Sequence, residues 1–205
     1  MITIEEARRL YDGADAIHDF DHVLRVLALA ERLAHEEGAD LEIVRTATLL
    51  HDVARGRVDY PTTDHAQAGA EFARRFLVGH PPEKVEAVVH AIAAHRFRSA
   101  PAPQTPEARV LHDADKLDAI GAIGVARAFA FGGHKGQRLW AEVPRDYQET
   151  PENSREHTPV HEYHFKLVKI KERLLTESAR RLAEERHSYM VDFYARLNRE
   201  VRGLS

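Results

Sequence analysis

Cysteine is missing from all 205 residues, and that absence removes disulfides, thiolate metal sites and cysteine nucleophiles together. It also fits a reducing compartment. No apolar run approaches the roughly 18 to 20 residues of a membrane span, and the opening TIEEARRL is acidic and amphipathic, unlike a secretory signal. A cytoplasmic protein is therefore expected. Basic excess is lacking as well: 33 acidic residues face 29 Lys and Arg, for a formal net charge of −4. Without a Lys/Arg stripe, duplex DNA is a poor main partner, while a local basic pocket stays compatible with the charge. A hydrophobic content of 43% and a charged content of 30% describe an ordinary globular chain, long enough to bury a core. What the chain has in surplus is histidine, 14 residues against 11 glycines. Imidazole is the commonest metal ligand and titrates nearest neutral pH.

The hydrophobic pattern predicts an all-α protein, and no convincing alternating strand is visible. Thr3 with Glu6 forms a capping box before a short first helix. Asp19 caps a second helix reaching Gly38, with Val23, Val26, Leu27, Ala30 and Ala34 on one face. Asp40 caps a third that carries Ile43, Val44, Ala47 and Leu50 and then His51 and Asp52. A fourth opens at Asp64 and runs to Val78 and Gly79, and a fifth starts at Pro82 and reaches about His95. Beyond the proline-punctuated stretch 99–106, a helical run from Pro106 extends to about Phe131, bent or divided around Gly121 and Gly124. Residues 132 to 158 are rich in Gly, Pro and polar side chains and read as one long loop, either a binding loop or lid or a plain connector. Two helices follow, Val160 to about Leu175 and Glu177 to Arg202, with Thr176 between them. One domain over 1–205 is expected, with a core at about 18–131 and the loop and C-terminal helices at 132–205.

The histidines do not fall at random. His35, His112, His157 and His187 stand among charged neighbours and read as solvent-facing. His51 and Asp52 instead follow Ala47, Thr48, Leu49 and Leu50, so both leave a helix whose preceding turn is core. A carboxylate buried there costs several kcal/mol unless hydrogen bonds or a cation offset it. A divalent ion is one solution and a buried ion pair another. His22 lies on the apolar stripe of the second helix, and Asp115 lies beside the apolar run of LHDADKLDAIGAIG. Two imidazoles and two carboxylates suit Mn, Fe, Co, Ni or Mg with water positions left open.

In the order His22, His51-Asp52, Asp115 the chain resembles the HD superfamily of metal-dependent phosphohydrolases, specifically its small stand-alone bacterial members. The segments HDFDHVLRV (18–26), ATLLHDVA (47–54), DADKLDAIGAIGVAR (113–127) and HFKLVKIKERLLTESARRLAEERHSYMVDF (164–193) carry the resemblance. It implies an HD-type helical bundle with a C-terminal helical extension, and His22, His51, Asp52 and Asp115 as ligands of a divalent ion, Mn²⁺ preferred. Some HD branches bind a second ion through two added histidines, and His65 and His95 occupy comparable places in chain order. Arg96 stands where close relatives usually carry a small polar residue. The acidic residues that several HD nucleotidases place after the HD pair are missing from VARGRVDY apart from Asp59, and there is no GYP tripeptide.

The implied activity is hydrolysis of a phosphoester or phosphoanhydride in a nucleotide-like substrate by a metal-activated water. Asp52 and His95 are the candidate catalytic residues, with His95 as acid/base or orienting histidine and His18 as a further orienting residue. Arg25, Lys116 and Lys166 are the candidate cations for substrate phosphates. A non-catalytic module binding metal and a regulatory nucleotide is the alternative, and self-association into a homo-oligomer stays open.

Overall fold

The computed structural model describes residues 1–11, 20–55, 64–96, 100–143 and 154–204. Every regular element among them is helical, as the hydrophobic periodicity requires. The chain divides into two compact units, Met1–Asp115 and Lys116–Ser205.

In the first unit, α1 (Ile4–Arg8) starts at the expected capping box: the Thr3 hydroxyl accepts from the Glu6 N–H, and the Glu6 carboxylate accepts from the Thr3 N–H. A 3₁₀ turn, Arg9–Tyr11, follows. Helix α2 (Phe20–Glu37) buries Phe20, His22, Val23, Val26, Leu27, Ala30, Leu33 and Ala34, the stripe foreseen from the sequence with Phe20 and Leu33 added. Asp19 and His18 lie outside the described residues. Helix α3 (Leu41–Leu50) is capped by Asp40, whose carboxylate accepts from the Glu42 and Ile43 N–H groups. It is buried on nearly every side, which explains its run of Ile43, Val44, Ala47, Leu49 and Leu50. Helix α4 (His65–Phe76) is capped by Asp64, and α5 (Pro82–Ala93) begins with proline at its first position, where no backbone donor is needed. Helices α4 and α5 pack on each other, and α3 packs between α2 and α5. Helix α6 (Pro106–Leu117) buries Ala108, Val110, Leu111 and Ala114 and ends just past the boundary of the unit.

The second unit contains α7 (Gly121–His134), α8 (Pro159–Phe165) and α9 (Glu177–Glu200). The run from Pro106 is divided rather than bent, because α7 restarts at Gly121 with the chain folded back tightly. A β-carbon at Gly124 would lie 2.2 Å from the Ala119 carbonyl oxygen, so only glycine fits there. Helix α7 also outruns the expected Phe131, taking Gly132 and Gly133 into its last turn. It stops in a Schellman motif: Gly136 has φ +64°, its N–H reaches the Gly133 carbonyl, and the Gln137 N–H reaches the Gly132 carbonyl at 2.8 Å. The expected loop thus begins about four residues later, and residues 144–153 of it lie outside the described part. Helix α8 is shorter than the expected Val160–Leu175; after Phe165 the chain passes through two 3₁₀ turns, Leu167–Lys169 and Lys171–Arg173. Thr176 caps α9 as expected. Tyr163 stacks on Tyr194 at 4.1 Å between ring centroids, and the Tyr194 hydroxyl donates to the Pro159 carbonyl oxygen. Those contacts join α8 to α9, and α7 packs against both.

Candidate metal centre

Five helices of the first unit bring their ends or first turns to one place. His22 comes from the first turn of α2, His51 and Asp52 from the turn that closes α3, His65 from the start of α4, His95 from just beyond α5, and Asp115 from the last turn of α6. The reason is local: the buried stripe Val44, Ala47, Leu50 of α3 continues inward, so the next two side chains are carried into the core with it. His22, His51, Asp52 and His95 are all less than 4% exposed.

The Asp52 carboxylate is the hub. Its Oδ2 lies 3.7 Å from His51 Nε2 and 3.8 Å from His22 Nε2, and His22 Nε2 is 3.5 Å from Asp115 Oδ1. Its Oδ1 faces the other way, 3.5 Å from His65 Nε2 and 3.8 Å from His95 Nε2. These separations are too long for hydrogen bonds. They are short enough for neighbours on one ion, since two donors each about 2.1 Å from a cation lie at most about 4.2 Å apart. His22, His51 and Asp52 form one potential cation cluster, and Asp52, His65 and His95 form a second.

Tautomers follow from the partners. His51 Nδ1 lies 2.7 Å from the Thr48 carbonyl oxygen, and His95 Nδ1 lies 2.7 Å from that of Ile92. A carbonyl can only accept, so both Nδ1 atoms carry the proton and both Nε2 atoms present a lone pair toward Asp52. Burial holds the His51 pKa below its ordinary value against the opposing pull of Asp52 and Asp115, which keeps the ring neutral. Burial alone would raise the Asp52 pKa; interaction with His51, then with the Arg55 guanidinium and with His95, overcomes it and holds the carboxyl far below the usual carboxylate range.

Among the described residues, His51 Nε2 and both Asp52 oxygens are buried with no hydrogen-bond partner. Three orphaned polar atoms in one core are costly, at about 1–3 kcal/mol each and more for a charge. A divalent cation beside His22 would satisfy His51 Nε2 and Asp52 Oδ2 together, and the N and O donor set suits a hard or borderline ion. The residues present therefore fit the metal that the sequence implies.

The candidate substrate cations lie on three different helices or helix ends. Arg25 is half-buried on α2 one turn after His22, Lys116 follows Asp115 on α6, and Lys166 at the end of α8 pairs with Glu162 at 2.8 Å. Two histidines read as solvent-facing are in fact buried. His112 pairs with Asp113 at 2.9 Å, and His157 pairs with Glu162 at 3.2 Å. Charged neighbours in sequence misled, because adjacent residues on a helix point about 100° apart.

Two residues near the centre escaped the sequence reading. Arg55 places Nε 2.9 Å from Asp52 Oδ2, though out of line for a hydrogen bond, and Nη2 3.1 Å from His65 Nε2. Its three-residue spacing from Asp52 on a helical turn was the available signal. Burial, reinforced by the Arg55 charge, pushes the His65 pKa down to about 4. Tyr11 is buried and donates its hydroxyl to the Leu49 carbonyl oxygen at 3.1 Å, steadying the turn before His51. Nothing in the local pattern announced a contact across 38 residues.

Known proteins resemble this chain in sequence and fold. The family model of the HD domain matches residues 19–120. The protein YpgQ of Bacillus subtilis is 37% identical over 191 residues, covering 91% of this chain and 86% of its own. The crystal structure of YpgQ in complex with ADP superposes with a TM-score of 0.76 at 31% identity, covering 99% of this chain and all of that one. An HD-superfamily hydrolase from Bacillus thuringiensis gives a TM-score of 0.72 at 30% identity, over 97% of this chain and 94% of its own. With likeness running nearly end to end and the His and Asp residues gathered around one carboxylate, the chain belongs to the HD superfamily.

Proposed function

We propose that the protein is a divalent-cation-dependent phosphohydrolase of nucleotide-like substrates, with the cation held by His22, His51, Asp52 and Asp115. The observation that carries this reading is the buried trio of His51 Nε2 and the two Asp52 oxygens, orphaned beside His22 and Asp115. When bound, a divalent ion supplies positive charge to phosphate oxygens and lowers the pKa of a water toward neutrality. Mn²⁺ is the preferred ion, with Mg²⁺, Fe²⁺, Co²⁺ and Ni²⁺ as candidates.

The protein's own groups supply the rest. The Thr48 and Ile92 carbonyls lock the His51 and His95 tautomers, so each ring meets the centre with an acceptor nitrogen. Asp52 remains anionic at neutral pH and sets the negative potential of the site. His95 is the proposed acid/base residue, since its unprotonated Nε2 can take a proton from a water on the Asp52 side. Arg25, Lys116 and Lys166 are proposed to neutralise the substrate's phosphates. Phosphoryl transfer needs positioning and charge stabilisation rather than a covalent nucleophile, so the lack of cysteine is no obstacle.

The ADP in the YpgQ crystal structure supports a nucleotide as the ligand class here. Pyrophosphate release from nucleoside triphosphates, phosphate release from monophosphates and hydrolysis of an alarmone 3′-pyrophosphate all suit the same centre. Among the described residues no helix is long and apolar enough to cross a membrane; a cytoplasmic location is part of the proposal and rests on the cysteine-free sequence. The test is a panel of nucleotides and phosphorylated metabolites with Mn²⁺, products separated by mass. Release of phosphate or pyrophosphate by the wild type, abolished in His51→Ala and Asp52→Ala with helical content intact, is the expected result. Full activity in either variant contradicts the assignment, and tight nucleotide binding without turnover favours a regulatory binding module.

A further inference from the structure

The two halves of the centre are not equivalent. On the His51 side, both Nε2 of that ring and Asp52 Oδ2 face each other without a hydrogen bond. Beside His65 a guanidinium is already in place: Arg55 Nη2 lies 3.1 Å from His65 Nε2, while its Nε reaches back to within 2.9 Å of Asp52 Oδ2, the oxygen nearer His51 and His22. Arginine has only donors, so His65 Nε2 must be the acceptor. A neutral imidazole has one acceptor lone pair. The lone pair that holds Arg55 cannot hold a cation as well.

Charge points the same way. Asp52 and Asp115 supply two negative charges, which a single divalent ion balances. Adding a second divalent ion beside Arg55 leaves three uncompensated positive charges within a few ångströms, where protein dielectric screens them poorly. We propose that Arg55 stands in place of a second divalent cation, so that this centre binds one ion per chain although Asp52, His65 and His95 could otherwise ligate another. The inference rests on the metal-binding reading above and specifies its stoichiometry.

The experiment counts ions without using activity. Metal-depleted wild type, Arg55→Gln, Arg55→Met and the double variant Arg55→Gln/His65→Ala are dialysed against excess Mn²⁺. Bound Mn²⁺ per chain is read by elemental analysis, and the spin coupling of a close Mn²⁺ pair by electron paramagnetic resonance. One ion is expected in the wild type, two coupled ions in Arg55→Gln and Arg55→Met, and one again in the double variant. Two ions in the wild type, or one ion in both single variants with helical content retained, overturns the role of Arg55. No bound ion in any of the four proteins overturns the metal-binding reading itself, and this inference with it.

Discussion

The molecule buries histidines in both of its units, and the two groups are satisfied in opposite ways. In the second unit, His161 Nδ1 accepts from the Thr158 N–H at 3.2 Å and lies 2.7 Å from the Thr158 hydroxyl, closing the first turn of α8. His157 Nε2 reaches Glu162, which also holds Lys166. These imidazoles work as caps and ion-pair partners of their own segment. In the first unit, His51 and His95 give Nδ1 to a local carbonyl and turn Nε2 toward the shared Asp52 carboxylate, next to His51 in the chain and brought to His95 by packing. The difference teaches that burial alone does not mark a functional histidine. What marks it is how the ring is held: within its own segment for His157 and His161, and between a local carbonyl and a carboxylate shared by several helices for His95.

Substitutions sharpen this contrast most strongly at its hub. Asp52→Ala is expected to abolish Mn²⁺ binding and lower phosphohydrolase activity by about 10³-fold or more, as removal of a core catalytic group does. His161→Ala is expected to leave both within a few-fold, and steady-state kinetics on the two variants would expose an equal loss. Cation removal should produce the next largest effect. Saturating Mn²⁺ at about 100 times its Kd contributes about 2.7 kcal/mol of stability, or about 5–10 °C in Tm for a chain of this size. Scanning calorimetry should show that increment in the wild type and in His161→Ala but not in Asp52→Ala.

Smaller effects test the structural role of the second unit. Tyr194→Phe removes a buried hydroxyl that donates to the Pro159 carbonyl and should cost about 1 kcal/mol. Its urea midpoint should fall while Mn²⁺ affinity is unchanged; a change in affinity would blur the distinction between the two groups. Thr176→Ala, which removes the α9 cap, should cost about 1 kcal/mol in the same assay and leave activity unaltered.

Much of this was legible in sequence because its causes are local. The Thr3, Asp40, Asp64 and Thr176 caps and the apolar stripes of α2 and α3 depend on residues a few positions apart. Of the residues singled out for the metal, His22, His51, Asp52 and Asp115 do come together, and His65 and His95 share the same carboxylate. Their joint meaning came from chain order and resemblance, since each taken alone had a structural explanation. What sequence could not show lies partly in local geometry that has more than one solution and partly in packing between helices. The glycines at 132 and 133 read as loop, yet they close α7 because Gly136 supplies the left-handed residue its Schellman motif needs. His157 found Glu162 five positions on, beneath a charged surface pattern that suggested solvent. Arg55 gained its importance only when α4 delivered His65 beside it.

The central claim is that the orphaned atoms of His51 and Asp52 belong to a cation. Isothermal titration of metal-depleted protein with Mn²⁺ tests it directly, with Asp52→Ala titrated alongside. Saturable binding in the wild type and none in Asp52→Ala is predicted; equal binding by the two proteins would contradict it.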